Sequence, residues 1–108
     1  MRRLKITNYT VKVKVPDQRN LGQEIEIELP YHFKTSVLNL MFLPELKLSG
    51  AELVRQNMLA MKLEACTNEE IELADEEYQR IKRAVDTFQG FTRQDVELVE
   101  RINNAKTT

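Results

Sequence analysis

The sequence contains few of the residues from which active sites and metal centres are usually built. It has one histidine (His32), one cysteine (Cys66), no tryptophan and three glycines. A single thiol has no disulfide partner within the chain, so we interpret Cys66 as a small core residue of a protein in the reducing cytoplasm. The three glycines are isolated from one another, which argues against the glycine-rich loop that cradles nucleotide phosphates.

Long apolar runs and an excess of charge of one sign are also missing. No stretch approaches the roughly 20 apolar residues that span a bilayer, and the basic start lacks the apolar block of a signal peptide. The 16 basic and 17 acidic residues give a net charge of −1. This balance removes the usual electrostatic argument for binding phosphate backbones or anionic lipid. We therefore expect no membrane contact.

The residues that are present do not form a catalytic or metal-binding pattern. His32 could act as a base or a ligand, but no glycine-framed nucleophile turn accompanies it and Cys66 lies within a helical repeat. Six carboxylates occur in residues 69–77, without the glycine and side-chain spacing of a calcium loop. We predict a protein that is not an enzyme and that has no cofactor, no metal and no small-molecule substrate.

Alternating residues in the first third of the chain predict an antiparallel β-hairpin. Apolar residues alternate with charged ones over residues 9–15 and again over 24–29, and turn residues occupy 16–22 between them. We expect one buried face and one charged face, with Lys12 and Lys14 opposite the glutamates of the second strand. Leu4 and Ile6 have the opposite phase, which marks either a bulge at residues 7–8 or a point where the chain passes to another surface.

Two helices are predicted next. Thr35 or Ser36 begins a short, almost entirely apolar helix that Pro44 ends, and this helix either packs on the sheet or forms a contact surface. Ser49 and Glu52 form the capping box of a helix that runs to about residue 66. Its buried face is predicted to be either Leu53, Met58, Met61 and Ala65 or the adjacent Leu59 and Leu63, with Arg55, Gln56, Lys62 and Glu64 facing solvent.

The last third of the chain predicts a short strand and two more helices. Residues 70–73 alternate as an edge strand. Asp75 caps a helix in which Tyr78, Ile81, Val85 and Phe88 lie on one face and which stops at Gly90. Thr92 begins the final helix, for which we expect an inner stripe of Val96, Val99 and Ile102 and a fraying tail. The prediction is a single α+β domain over residues 1–108, with an antiparallel hairpin within 1–31 and a mainly helical part over 35–105. About four helices pack with the hairpin and the short third strand.

One part of the sequence resembles a known group of proteins. The stretch DEEYQRIKRAVDTFQGFTRQDVELVERINNA (75–105), preceded by LKLSGAEL (46–53), is similar to the C-terminal part of small accessory proteins of unassigned function encoded in tailed phages and prophages. The resemblance covers residues 46–105 and contains no catalytic motif. It implies an accessory protein that takes part in particle assembly or acts on a host component.

The first functional hypothesis is a non-catalytic interaction or assembly module that binds a protein partner or a second copy of itself. The predicted contact surface combines the hairpin with the short apolar helix, because both offer apolar residues at positions with no assigned core partner. Its residues are Leu4, Ile6, Leu40, Met41 and Phe42.

The alternative hypothesis is a small regulator that binds nucleic acid or the transcription machinery. The last two predicted helices have the outline of a helix–turn–helix and bring basic side chains near one another. The basic residues are Arg80, Lys82, Arg83, Arg93 and Arg101. Asp95, Glu97 and Glu100 on the last helix would oppose phosphate groups, which makes direct nucleic-acid binding the weaker hypothesis.

Overall fold

The computed structural model describes residues 1–107 and has an α+β fold, as the sequence predicts. The described strands form two antiparallel sheets. These strands are β1 (Arg2–Lys5), β2 (Tyr9–Pro16), β3 (Glu24–Tyr31), β4 (Glu70–Leu73) and β5 (Lys106–Thr107). The helices are α1 (Phe33–Met41), α2 (Gly50–Ala65), α3 (Asp75–Thr87) and α4 (Val96–Asn103), and single 3₁₀ turns occur at Pro44–Leu46 and Arg93–Asp95.

The core is built on a three-stranded sheet with β1 in the middle, between β4 and β5. Leu4 of β1 lies opposite Ile71 of β4, and both side chains are buried. Ile6 continues this sheet, since its backbone N–H donates to the carbonyl of Glu69 at 2.9 Å. Of the two alternatives for residues 7–8, the structure therefore confirms the passage from one sheet to another.

The C-terminal tail is ordered as far as Thr107, which corrects the expectation that it frays. Strand β5 pairs with β1 through Arg2 and Arg3. The Arg2 guanidinium donates to the carbonyl of Ala105 at 3.1 Å, and the Ala105 side chain is buried. A buried alanine and a long-range hydrogen bond hold a segment that its polar composition alone would leave loose.

Helix α1 begins earlier than predicted, at Phe33, with His32 rather than Thr35 or Ser36 at the N-cap position. The side chain of Asn8 supplies the missing cap, because its oxygen accepts from the Phe33 N–H at 3.1 Å. Sequence patterns near the helix could not reveal a cap that comes from 25 residues away. The inner side chains of α1 are buried, so the core interpretation of this apolar helix is correct.

Helix α2 begins as predicted and buries the second of its two possible faces. The Ser49 hydroxyl accepts from the Glu52 N–H at 3.2 Å, and Leu59 and Leu63 lie in the core. Gln56 was expected to face solvent but is fully buried. Its amide donates to the carbonyl of Met41 at 2.9 Å, which satisfies the C-terminal end of α1 in a way that an apolar side chain could not.

Helices α3 and α4 complete the core. Of the predicted face of α3, Tyr78, Ile81 and Val85 are buried, whereas Phe88, just after the helix, is half-buried. Ala74 and not Asp75 occupies the N-cap position. The Tyr78 hydroxyl donates to the carbonyl of Ile102 at 2.7 Å. In α4 the buried residues are Leu98 and Ile102, whereas Val96 is exposed. The prediction of Val96 as an inner residue is wrong because Leu98 and Ile102, four residues apart, face the core, and Val96 lies on nearly the opposite side of the helix from Leu98.

Strands β2 and β3 form a separate two-stranded sheet, which we call the arm. The described residues extend 54 Å along the longest axis and only 29 and 22 Å along the others. Their radius of gyration is 16.3 Å, against about 13 Å for a compact chain of this length. Strands of eight residues reach roughly 27 Å, so the arm accounts for the elongation.

The buried Gln56 gives a test of the core. Gln56→Ala should lower the free energy of unfolding by about 2 kcal/mol, because the Met41 carbonyl loses its donor and a cavity remains. Urea unfolding measures the change. Asn57→Ala, at the neighbouring exposed position, should stay within roughly 0.5 kcal/mol of the parent. Equal effects of the two substitutions would contradict the role given to Gln56.

Glu77 gives a second test, based on acid stability. Burial raises the pKa of Glu77, but hydrogen bonds from Lys62 Nζ (2.9 Å) and the Ala74 N–H (2.8 Å) outweigh it and lower the pKa below the ordinary 4.5. The stabilisation is therefore present above pH 4.5 and is lost as the pH falls through the folded-state pKa. Glu77→Gln should cost about 1 kcal/mol at neutral pH and flatten the acid loss of stability. Glu76→Gln, at an exposed ion pair, should do neither.

Candidate interaction surface

The arm has one aliphatic face and one charged face. Every cross-strand pair follows a single register, in which Val13 lies opposite Ile27 and Lys14 lies opposite Glu26. Side chains alternate along each strand, so the two types separate completely. The aliphatic face consists of Val11, Val13, Val15, Ile25, Ile27 and Leu29.

Within residues 1–107, no helix or further strand packs along the aliphatic face. Ile25 and Leu29 are 44% and 43% exposed, and the other four side chains are only half-buried. The prediction that one face of the hairpin is buried is wrong for this face. Isolated two-stranded hairpins are marginally stable in water, and three strands or a packed helix are normally needed. The arm therefore lacks the second layer that such a surface requires.

Two tyrosines attach the base of the arm to the helical body. Tyr9 and Tyr31 form a cross-strand pair, with stacked rings whose centroids are 4.5 Å apart. The Tyr9 hydroxyl donates to the carbonyl of Gln94 at 3.0 Å, and the Tyr31 hydroxyl donates to the carboxylate of Asp95. Because both hydroxyls bond to it, the Arg93–Asp95 turn stands against the aliphatic side of the arm at its base. Burial raises the pKa of Tyr31, and the hydrogen bond to Asp95 raises it further.

Arg101 of α4 fixes the segment that joins the core sheet to the arm. Its guanidinium donates to the carbonyls of Thr7 (2.6 Å) and Lys5 (3.5 Å) and lies 5.0 Å from the ring centroids of both Tyr9 and Phe33. It also pairs with the carboxylate of Glu97. A residue that the sequence offered for phosphate binding thus serves as the joint between arm and body.

The two outer edges of the arm carry backbone groups that pair with no strand in residues 1–107. The Asp17 N–H donates to the carbonyl of Gln23 at 2.8 Å, one step beyond the strands in the same register. Hydrogen-bonded and non-hydrogen-bonded pairs alternate in antiparallel sheets. The charged residues therefore point their backbone groups outward, as do Pro16 and Pro30, which have no N–H to offer an added strand.

The tip of the arm presents a single leucine. Leu21 is 98% exposed, in a turn whose other residues are polar or glycine. The Asp17 carboxylate accepts from the Arg19 N–H at 2.9 Å and from the Asn20 amide at 3.2 Å, and Gly22 has a φ of +84°. These contacts order the turn. A lone leucine in a polar turn is the sequence signal for this feature, and neither strand alternation nor helix periodicity detects it.

An apolar recess lies at the base of the arm. Tyr31, which shares the aliphatic face, forms part of its wall, and the Phe88 and Phe91 rings meet edge to face 4.8 Å apart in it. The recess has a volume of about 260 Å³, below the roughly 300–1,000 Å³ of typical ligand sites. Its remaining wall residues are Ser36, Asn39, Leu40, Leu43, Gly90 and Asp95. Its size suits an apolar side chain better than a cofactor.

Helix α2 carries a second exposed apolar patch on the side away from the core. Val54, Met58 and Met61 are spaced at four and three residues and form one stripe, and Leu53 lies beside it. The patch comprises Leu53, Val54, Met58 and Met61. Three of these were predicted as one possible buried face, and the structure places them in solvent instead.

The predicted contact surface is corrected by the packing. Leu4, Ile6, Leu40 and Met41 are buried, because β1 and α1 both contribute to the main core. Phe42, at 41% exposure, is the one member of the set at the surface. In the sequence these residues are apolar groups with no assigned core partner. The elements that bury them come from distant parts of the chain, so local patterns do not reveal them.

Most of the predicted basic surface is occupied by interactions within the chain. Arg80 pairs with Glu76, Lys82 pairs with Asp86, and Arg83 pairs with Glu52 and donates to the carbonyl of Leu46 at 2.9 Å. Arg101 is the joint described above. Arg93 is exposed beside Val11 and Lys12. The five side chains do not present a common set of unpaired charges.

The chemistry-bearing residues are dispersed. His32 is exposed, and its ring nitrogen lies 3.3 Å from the Asn8 amide. In residues 1–107 no three His, Cys, Asp or Glu side chains are grouped as metal ligands would be. One cavity of about 760 Å³ is an open depression in which Arg3 pairs with Glu70 and Glu72. Cys66 lies in its wall, with the thiol 3.8 Å from the carbonyl oxygen of Glu70.

Over the part of the chain that the structure describes, no helix is sufficiently long and apolar to cross a bilayer. Comparison of the chain with family models, with curated proteins and with solved structures finds no match. The resemblance of residues 46–105 to phage accessory proteins therefore stays a prediction.

The tyrosine anchor leads to a prediction at alkaline pH. The raised pKa of Tyr31 keeps its hydroxyl protonated above the ordinary value of 10.0, so its stabilising effect is complete below pH 10 and is lost as the pH rises through the folded-state pKa. Tyr31→Phe should lower the free energy of unfolding by about 1–2 kcal/mol at neutral pH. Because burial also raises the pKa of Tyr9, the variant should keep a late phase of smaller amplitude in the ultraviolet titration of tyrosine. A late phase of unchanged amplitude would contradict the assignment.

Proposed function

We propose that this chain is a non-catalytic protein–protein interaction module that docks through the aliphatic face of its arm. The observation that carries the proposal is the six-residue aliphatic face with no second layer in the described chain. Such a face is unfavourable in water, and a protein surface that covers it would supply the missing layer.

The size of the face fits a reversible contact. Strand geometry gives a strip of roughly 250 Å². Burial against an equal apolar surface removes roughly 500 Å² from water and favours association by about 12 kcal/mol before the entropic costs of association are subtracted. The polar face stays hydrated, since Lys12 and Glu26 pair across the strands at 3.7 Å. One face is thus suited to docking and the other to solvent.

The resemblance of residues 46–105 to accessory proteins of tailed phages and prophages supports the same class of function, because it implies assembly or action on a host component. We propose the cytoplasm as the location, where the free thiol of Cys66 remains reduced. The alternative of a nucleic-acid regulator has less support, since four of its five basic residues are paired within the chain.

A capture experiment with paired variants tests the proposal. The full chain, immobilised and exposed to an extract of its source cells, should retain a defined protein or an untagged copy of itself. Val13→Thr/Ile27→Thr should abolish retention, because threonine keeps the strand propensity but removes apolar surface from the centre of the strip.

The matched control is Lys14→Thr/Glu26→Thr, which changes the adjacent cross-strand pair on the opposite face and leaves the net charge unchanged. This control should retain the same protein as the parent chain. Retention that is equal in both variants, or no specific retention by the parent, would rule out docking through the aliphatic face. Circular dichroism of both variants checks that the arm still forms.

A further inference from the structure

We infer that the layer missing from the arm is the arm of a second copy of this chain. The two arms stack with their aliphatic faces together and their directions antiparallel, and the Leu21 side chain of each tip enters the recess at the base of the other arm. This inference rests on the proposed function and identifies its partner.

Two copies could instead pair edge to edge, with a strand of one arm beside the same strand of the other. The charges on the arm disfavour this symmetric pairing. If two copies paired through β2, Lys12 and Lys14 of one copy would lie beside the same lysines of the other, and pairing through β3 would bring the glutamates together. Like charges on adjacent strands are destabilising. Pairing of β2 with β3 of the next copy satisfies the charges but does not close. Face-to-face stacking avoids these contacts, because all of these charged side chains point away from the interface.

The base of the arm determines the direction of stacking. The Arg93–Asp95 turn stands against the aliphatic side at Tyr9 and Tyr31. In a parallel stack the two copies of this turn would meet at the same end and hold the strips apart. In an antiparallel stack each turn faces the tip segment of the opposite arm instead of the other turn, and the tip passes it to reach the recess. The two-fold axis then crosses the arm near Val13 and Ile27, at the centre of the face.

The same axis brings the tip and the recess together. Leu21 lies about seven residue positions from the Val13–Ile27 pair toward the tip, and Tyr31 lies four positions from it toward the base. Rotation about the axis carries the partner's tip just past Tyr31, where the recess with Phe88 and Phe91 lies. An almost fully exposed leucine and an unfilled apolar recess are thus complementary features of one surface.

The area supports a two-part contact of this kind. Stacked strips bury roughly 500 Å² in total, which is below the roughly 1,000 Å² expected of a specific interface. Two tips in two recesses bring the total to about that threshold. The arm face alone is therefore insufficient, and the tip contact completes an interface that should associate reversibly at micromolar concentrations or above.

Sedimentation velocity of the purified chain tests the inference. From about 1 μM to 1 mM the parent chain should shift from monomer to dimer, since this range brackets a reversible contact. Val13→Thr/Ile27→Thr should remain monomeric, whereas Lys14→Thr/Glu26→Thr should dimerise like the parent. Leu21→Ser should raise the dimer Kd by roughly tenfold or more, because symmetry removes the side chain twice.

Cross-linking determines the direction of the arms. With Cys66→Ser as background, Ile27→Cys should be joined across the axis by a short bismaleimide. Gln18→Cys, at the tip, should not be joined, since antiparallel arms hold the two tips roughly 30 Å apart at about 3.4 Å per residue. A parallel stack would join the tips as well as position 27, so the tip variant distinguishes the two directions.

Several outcomes would overturn the inference. These are a chain that is monomeric throughout, tips that cross-link, or a dimer that survives Val13→Thr/Ile27→Thr but is lost in Met58→Thr/Met61→Thr of the α2 patch. A monomeric chain whose arm still captures a different protein would refute the self-pairing and leave the proposed function standing. If the parent chain neither dimerises nor captures a protein through the arm, both fail.

Discussion

A two-stranded sheet has two faces and no residues of its own with which to cover either of them. An apolar face therefore needs another element to pack against it. In this chain the elements that would provide such cover are already used, because α3 and α4 pack on the three-stranded sheet around β1 and α1 packs on α2 and α3. The arm receives contacts at its base alone. Hydration of the charged face is favourable and hydration of the aliphatic face is not. The aliphatic face is therefore the one that contact with another surface would stabilise.

The body can support such an arm because its polar connections are buried and satisfied. Arg101 bonds the carbonyls at the joint, and Gln56 ties α1 to α2 and accepts a hydrogen bond from Arg80. No buried side-chain nitrogen or oxygen in the described residues lacks a hydrogen-bond partner. Four of the five basic residues that the sequence offered for phosphates are paired within the chain. The larger groups of exposed apolar side chains lie on the arm and on the outer side of α2.

The interaction surface shows how far sequence patterns reach. Period-two alternation correctly predicted which side chains of the arm share a face, and Lys12 and Lys14 lie opposite glutamates of β3 as expected. Alternation also implied that the apolar face is buried, but within this chain it is not. The pattern shows that burial of the face is favourable and does not show which element buries it. Leu4 and Met41 were assigned to the surface for the opposite reason, since the elements that bury them come from distant parts of the sequence.

By itself the sequence determined the local features, because their signals are short-range: the hairpin and its turn, the Ser49 cap of α2, strand β4 and the inner face of α3. Only the tertiary structure decided which face of α2 is buried, where α1 begins, that the tail becomes β5, and that the arm projects uncovered. Each of these depends on a contact between distant residues, such as Asn8 with Phe33 or Arg2 with Ala105. Periodicity within one segment contains no information about such partners.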